Sequence, residues 1–147
     1  MSGDYLVDTP VWLWYALGDE RRLPSPLAGR LTVLDEQQCL HLSVMSVWEL
    51  GMLAATNRIQ LGCAAPAWVS TFFERTRFRL VDLNVSVALE ANALPGGFHP
   101  DPADRLIVAT ARHHNLTLIT DDRKILDYAG QGYLRARASG DKELLSI

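Results

Sequence analysis

Short apolar runs alternate with segments of helical periodicity along the whole chain. Tyr5-Leu6-Val7 reads as a buried strand. Thr9-Pro10 follows, giving a cap and a proline at the first helical position, so a helix is predicted from Pro10 to about Leu17, stopping at Gly18. Ser25-Pro26 repeats that start signal for a second helix to about Gln38, and Cys39 to Val44 reads as a second strand. Ser46 opens a third helix to about Thr56. Pro66 to Arg77 is a fourth, with Trp68, Val69, Phe72 and Phe73 on one face. Phe78 to Leu83 is a third strand, and Ser86 to Leu94 a short helix stopped by Pro95-Gly96-Gly97. Asp101-Pro102 starts a helix ending near Asn115, Leu116 to Ile119 is a fourth strand, Arg123 to Tyr128 a last short helix, and Tyr133 to Arg137 an edge strand.

Because the strands are apolar throughout and alternate with helices, the pattern predicts an α/β fold whose parallel sheet is covered on both faces. Right-handed crossovers then bring every strand's C-terminal end to one edge, where the ligands of such sheets bind.

The 147 residues suit a single domain over 1–147 with its own core. No stretch approaches the roughly 18 apolar residues of a membrane span, and the first residues lack the basic and apolar regions of a signal peptide, so no membrane association is expected. Cys39 and Cys63 form no framework, and a reducing cytoplasmic setting is the expectation. The net charge of −3 argues against nonspecific coating of nucleic acid, but not against an acidic site neutralised by metal. Of the 14 basic residues only Lys124 and Lys142 are lysine, which leaves 12 arginines, the residue suited to bidentate phosphate contacts.

Four acids fall on the predicted ligand edge: Asp8 after the first strand, Glu49 in the first turn of the third helix, Asp104 in the first turn of the helix opened by Asp101, and Asp122 after the fourth strand. Unpaired carboxylates ~4 Å apart repel by roughly 4 kcal/mol at an effective dielectric of 20, so they need protons, basic partners or a cation. An oxygen-only set without a His or Cys cluster suits Mg²⁺, with Mn²⁺ as a substitute, and not zinc. Each acid also has a purely structural reading. Ser46-x-x-Glu49 fits a capping box, Asp101 with Asp104 an N-cap with an acid at the third position, and Asp8 and Asp121 simple turn residues. A Glu49 that points at a metal cannot also close the box on Ser46. It is the joint placement on one edge that favours a site.

Four blocks carry a resemblance: Tyr5-Leu6-Val7-Asp8-Thr9, Ser46-Val47-Trp48-Glu49, Asp101 to Ala111, and Leu118-Ile119-Thr120-Asp121-Asp122-Arg123. In order and spacing they resemble the signature blocks of PIN-domain ribonucleases, more narrowly VapC-type toxins of type II toxin–antitoxin systems. The resemblance implies a PIN-like three-layer α/β/α sandwich with a central parallel sheet of four to five strands. It also implies an Mg²⁺-dependent endoribonuclease acting on single-stranded or looped RNA through a metal-activated water, a cognate antitoxin partner, and a homodimer. On this reading Asp8, Glu49, Asp104 and Asp122 are the catalytic and metal-binding acids, with Asp8 and Asp104 binding the ion most directly. Thr120 matches a polar site position. Asp121 is a supporting or substitute ligand and Asp101 a further candidate, while Arg105, Arg112, Arg123 and Lys124 are candidate phosphate contacts. His99 is read as a loop residue and His113-His114 as a helix C-terminal pair. Trp12 and Trp48 are candidates to line a groove for a partner helix, although tryptophan is more often core.

Other α/β functions fit less well. G-x-G-x-x-G and Gly-Lys are both missing, which removes the dinucleotide and P-loop phosphate cradles. A phosphoacceptor receiver wants its acid pair after the first strand, whereas Asp121-Asp122 comes late. A catalytically inactive PIN-fold interaction module remains the alternative, though decayed sites usually lose acids and this chain keeps all four.

Overall fold

The computed structural model describes residues 3–146. Strand β1 (Tyr5–Val7) leads into helix α1 (Thr9–Ala16), and α2 (Ser25–Glu36) returns to β2 (Leu40–Ser43). Next come α3 (Val44–Ala55), α4 (Ala65–Arg75), β3 (Arg79–Val81), α5 (Val85–Asn92) and α6 (Pro102–His113). The chain closes with β4 (Thr117–Ile119), α7 (Arg123–Gly130), β5 (Ala136–Arg137) and a short α8 (Lys142–Leu145). All five strands are parallel, in the order β3-β2-β1-β4-β5. The inner strands β2, β1 and β4 are largely buried, as their apolar runs predicted, whereas the edge strand β3 is exposed at Arg79 and Leu80 and β5 is half-buried.

Alternate residues of each strand feed the two faces. Val7, Leu40, Leu42 and Ile119 pack with α1 to α4 and with Leu144 of α8, whereas Leu6 and Leu118 pack with α5, α6 and α7. The result is the three-layer α/β/α arrangement that the PIN resemblance implied. Helix α2 shows how the layers hold. Leu27, Leu31 and Leu34, at helical spacing, have no exposed surface, and truncating one of them to Ala would cost about 2–5 kcal/mol.

Two predicted helix starts move, and one helix is added. Thr9 is not the cap of α1; Asp8 is, accepting from the Thr9 amide, and Pro10 sits just inside the helix. Helix α3 starts at Val44, with Ser43 as its cap accepting from the Met45 amide, so the predicted capping box of Ser46 and Glu49 does not form. Ser46 lies inside the helix and is fully buried. Glu49 accordingly occupies the second helical turn, not the first. Helix α8, capped by Asp141, was not predicted; it docks on α2, where Arg30 Nε donates to the Leu144 carbonyl at 2.8 Å. Among the described residues no helix is long and apolar enough to cross a membrane.

Candidate metal centre

The strand order reverses between β1 and β4, and ligand sites of open α/β sheets lie beyond the strand C-termini at such a point. Asp8 is the residue immediately after β1, and Asp122 follows β4 by three positions. Asp8 is only 4% exposed. Its Oδ1 accepts from the Thr9 amide at 2.9 Å, and its Oδ2 accepts from the Thr120 hydroxyl at 2.7 Å. Thr120 is fully buried and also accepts from the Asp122 amide at 3.0 Å, so one hydroxyl joins the two acid-bearing strand ends.

The other acids arrive on helices. Glu49 reaches from α3 to the start of α1, where its Oε1 accepts from the Thr9 hydroxyl at 2.6 Å. Asp101 caps α6, accepting from the amides of Ala103 at 2.9 Å and Asp104 at 3.4 Å. Asp104 projects from the first turn of α6, and its Oδ2 lies 3.2 Å from His99 Nε2. That approach lacks the alignment of a hydrogen bond, since Nε2 is otherwise without a partner. Asp122 caps α7, accepting from the amides of Lys124 at 2.8 Å and Ile125 at 3.1 Å.

These carboxylates feel one another. Burial pushes the Asp8 carboxyl up to about 6, against the pull of its bonds from Thr120 and Thr9, and Glu49 and Asp122 push it further. Burial likewise raises Asp104 to about 7, reinforced by the charges of Asp8, Asp101, Asp122 and Glu49. Glu49 is raised by burial and by Asp101, with the Thr9 hydroxyl opposing. Five acids from four parts of the chain thus share one electrostatic neighbourhood, and Asp101 belongs to it as well as capping α6.

Asp121 does not join them. Its Oδ1 accepts from the Ser139 amide at 2.7 Å, turned towards the segment between β5 and α8. Of the candidate phosphate contacts, Arg123 and Lys124 line a 660 Å³ cleft together with His99, Asp101, Asp104 and Asp122. Arg105 and Arg112, the other two candidates, are engaged elsewhere. Arg105 donates to the carbonyls of Ala91, Phe98 and His99, clamping the loop before Asp101. Arg112 donates to the Tyr133 carbonyl and faces a separate cavity at the other end of α6. The tryptophans separate too. Trp12 is fully buried, edge-on to Trp68 and Phe72, and lines no groove, whereas Trp48 is 58% exposed. Thr9 and Ser46, read from the sequence as helix starts, and His99, read as a loop residue, also lie beside the acids. The loop position of His99 hid its approach to Asp104.

Among the described residues, no group of three or more His, Cys, Asp or Glu side chains is gathered tightly enough to enclose an ion. The donor set nevertheless fits a hard divalent cation. It is carboxylate oxygen throughout, and among the described residues none of the five acids is ion-paired to an arginine or lysine. Such a cluster binds protons or a cation in proportion to its mutual repulsion.

Residues 5–131 match the PIN domain family. The chain belongs to that family. It is 38% identical over 120 residues to Ribonuclease VapC22 of Mycobacterium tuberculosis, covering 82% of this chain and 88% of that protein. Its fold matches the DNA-bound VapBC structure from Salmonella typhimurium with a TM-score of 0.66 at 14% identity, over 94% of this chain and 99% of that one. FitAcB from Neisseria gonorrhoeae matches with a TM-score of 0.64 at 22% identity, over 92% and 97% of the two chains. The four sequence blocks around Asp8, Glu49, Asp104 and Asp122 thus pointed to the right family, and the PIN domain's three-layer sandwich is the fold observed.

Proposed function

We propose that this PIN-domain chain is a divalent-metal-dependent endoribonuclease and the toxin of a toxin–antitoxin pair. The observation that carries the reading is the convergence of Asp8 and Asp104, both raised towards neutrality, at the switch point of the sheet. The identity to a ribonuclease of the VapC group supports it.

Asp8, Glu49, Asp104 and Asp122 would hold Mg²⁺ or Mn²⁺. An ion held there would supply Lewis acidity, activating a water for attack and offsetting charge on the scissile phosphate. The protein's own part is positional. Thr120 orients Asp8 through a buried hydrogen bond, and the first turn of α6 presents Asp104 towards the same place. Arg123 and Lys124, at the mouth of the cleft, would engage the phosphates of an RNA strand on either side of the cut.

The antitoxin partner is supported by the toxin–antitoxin complexes among the structural matches. For the homodimer, Trp48 and Met52 on α3 and Val85 and Leu89 on α5 are exposed apolar pairs spaced one turn apart. These are the side chains that a second copy would cover.

Cleavage of total RNA by the purified chain with and without Mg²⁺, alongside Asp104→Asn, tests the reading. Metal-dependent cleavage that disappears in the variant is expected. Equal cleavage by Asp104→Asn, or none by the wild type, would overturn it.

A further inference from the structure

Thr9 donates to the carboxylates of two acids, Asp8 just after β1 and Glu49 on α3. Its amide donates to Asp8 Oδ1 at 2.9 Å, and its hydroxyl lies 2.6 Å from Glu49 Oε1, forty positions away in sequence. The same hydroxyl is 2.7 Å from Ser46 Oγ. Thr9 is 4% exposed and Ser46 has no exposed surface.

Proton counting fixes the direction of these bonds. A carboxylate only accepts, so the single hydroxyl proton of Thr9 goes to Glu49. The Thr9 oxygen must then accept from Ser46, whose proton is the only one left between the two hydroxyls. A relay runs from Ser46 through Thr9 to Glu49. Ser46 and Glu49 lie three residues apart on α3, so Thr9 bridges one turn of that helix from the start of α1.

We infer that Thr9, with its hydroxyl oriented by Ser46, is a positioning residue that sets Glu49 relative to Asp8 for divalent-cation binding. This rests on the reading of Glu49 as a metal ligand. The Ser46 hydroxyl prevents the Thr9 proton from turning away from Glu49. The Thr9 amide holds Asp8 from the same residue, so the two carboxylates keep a fixed relation although they come from different elements. The β-branched Thr9 has few rotamers, which lowers the entropy lost when its hydroxyl is held in one place. Groups that orient metal-ligating carboxylates typically contribute 10- to 100-fold in metal affinity.

The test measures Mn²⁺ binding to the full-length chain by the loss of the free-ion EPR signal, with circular dichroism to check the fold. Thr9→Val keeps the shape and removes the hydroxyl. Its Mn²⁺ affinity is expected to fall about 10- to 100-fold, and Thr9→Ser to recover most of it. The Thr9→Val/Glu49→Gln double variant should bind no more weakly than Glu49→Gln alone, because Thr9 acts through Glu49. A merely structural Thr9 would give additive losses. Wild-type binding by Thr9→Val beside weakened binding by Glu49→Gln would overturn the relay and leave Glu49 a ligand. Wild-type binding by Glu49→Gln would overturn the underlying reading whatever Thr9 does. Should Thr9→Val fail to fold, Ser46→Ala carries the test, since it removes only the group that orients the relay. Several-fold weaker Mn²⁺ binding is then expected, and unchanged binding would overturn the proposal.

Discussion

Thr120 and Asp8 lie 112 positions apart in sequence, yet a 2.7 Å hydrogen bond joins them in a pocket that solvent hardly reaches. Because Asp8 Oδ2 has Thr120 as its donor, Thr120→Val should leave a buried carboxylate oxygen unpaired. The expected cost is about 1–3 kcal/mol of stability, read as a fall in the urea midpoint, while Thr120→Ser should lie close to the wild type.

The raised acids make stability depend on pH in a definite direction. Asp8 and Asp104 are displaced upward from 3.8 to about 6 and about 7, so the folded state holds their protons more tightly than the unfolded chain does. The stability they contribute is fully present below about pH 4 and is lost as pH rises through about 6 to 7. For the nine-tenths-buried Asp8 a shift of this size corresponds to ~3 kcal/mol. The two losses overlap, since the charge of each raises the other. In metal-free buffer, Asp8→Asn and Asp104→Asn should therefore melt above the wild type at pH 7.5 and converge on it near pH 4. Mn²⁺ should raise the wild-type melting temperature more than either variant's.

The same two variants, with Glu49→Gln, separate chemistry from folding. Each should lose cleavage by at least 10²-fold, in line with the removal of metal-positioning groups. Since α3 is capped by Ser43, Glu49→Gln should leave its helicity unchanged by circular dichroism. Cleavage at the wild-type rate by Glu49→Gln would reduce Glu49 to a structural residue.

Neighbouring arginines should behave oppositely. Arg105→Ala removes three bonds to carbonyls and should lower stability by about 2–4 kcal/mol, seen as a fall in melting temperature. Arg123→Ala should leave the melting temperature nearly unchanged. It should weaken RNA binding across sequences and reduce the slope of log affinity against log salt by about one.

The exposed apolar pairs make a statement about association. Trp48→Asp should shift the chain towards monomer in light scattering without lowering the monomer's helicity. An unchanged mass would place the interface between copies elsewhere.

Much of this protein was determined locally, by the chain itself. The apolar strand runs and the proline-marked helix starts specify a parallel α/β sheet, because a strand buried on both faces can carry no polar face. The strand-to-helix switches after β1 and β4 were enough to place Asp8 and Asp122 on the ligand edge. Where two local signals compete, tertiary structure decided. Ser43 and Ser46 are equally good caps by chemistry, but pairing of β2 with β3 out to Ser43 and Val81 keeps Ser43 in the strand and makes it the cap. Ser46 is then carried into the core, where Thr9 is its partner. Asp121 and Asp122 are adjacent and alike in sequence. Only the position of the segment after β5 gives Asp121 the Ser139 amide and leaves Asp122 to face the cleft. Arg105 beside Asp104 reads as a phosphate ligand until the carbonyls of the preceding loop and α5 come within its reach. A local pattern records what a residue can bond to. Which partner it meets depends on segments far away in the chain, and only packing brings those together.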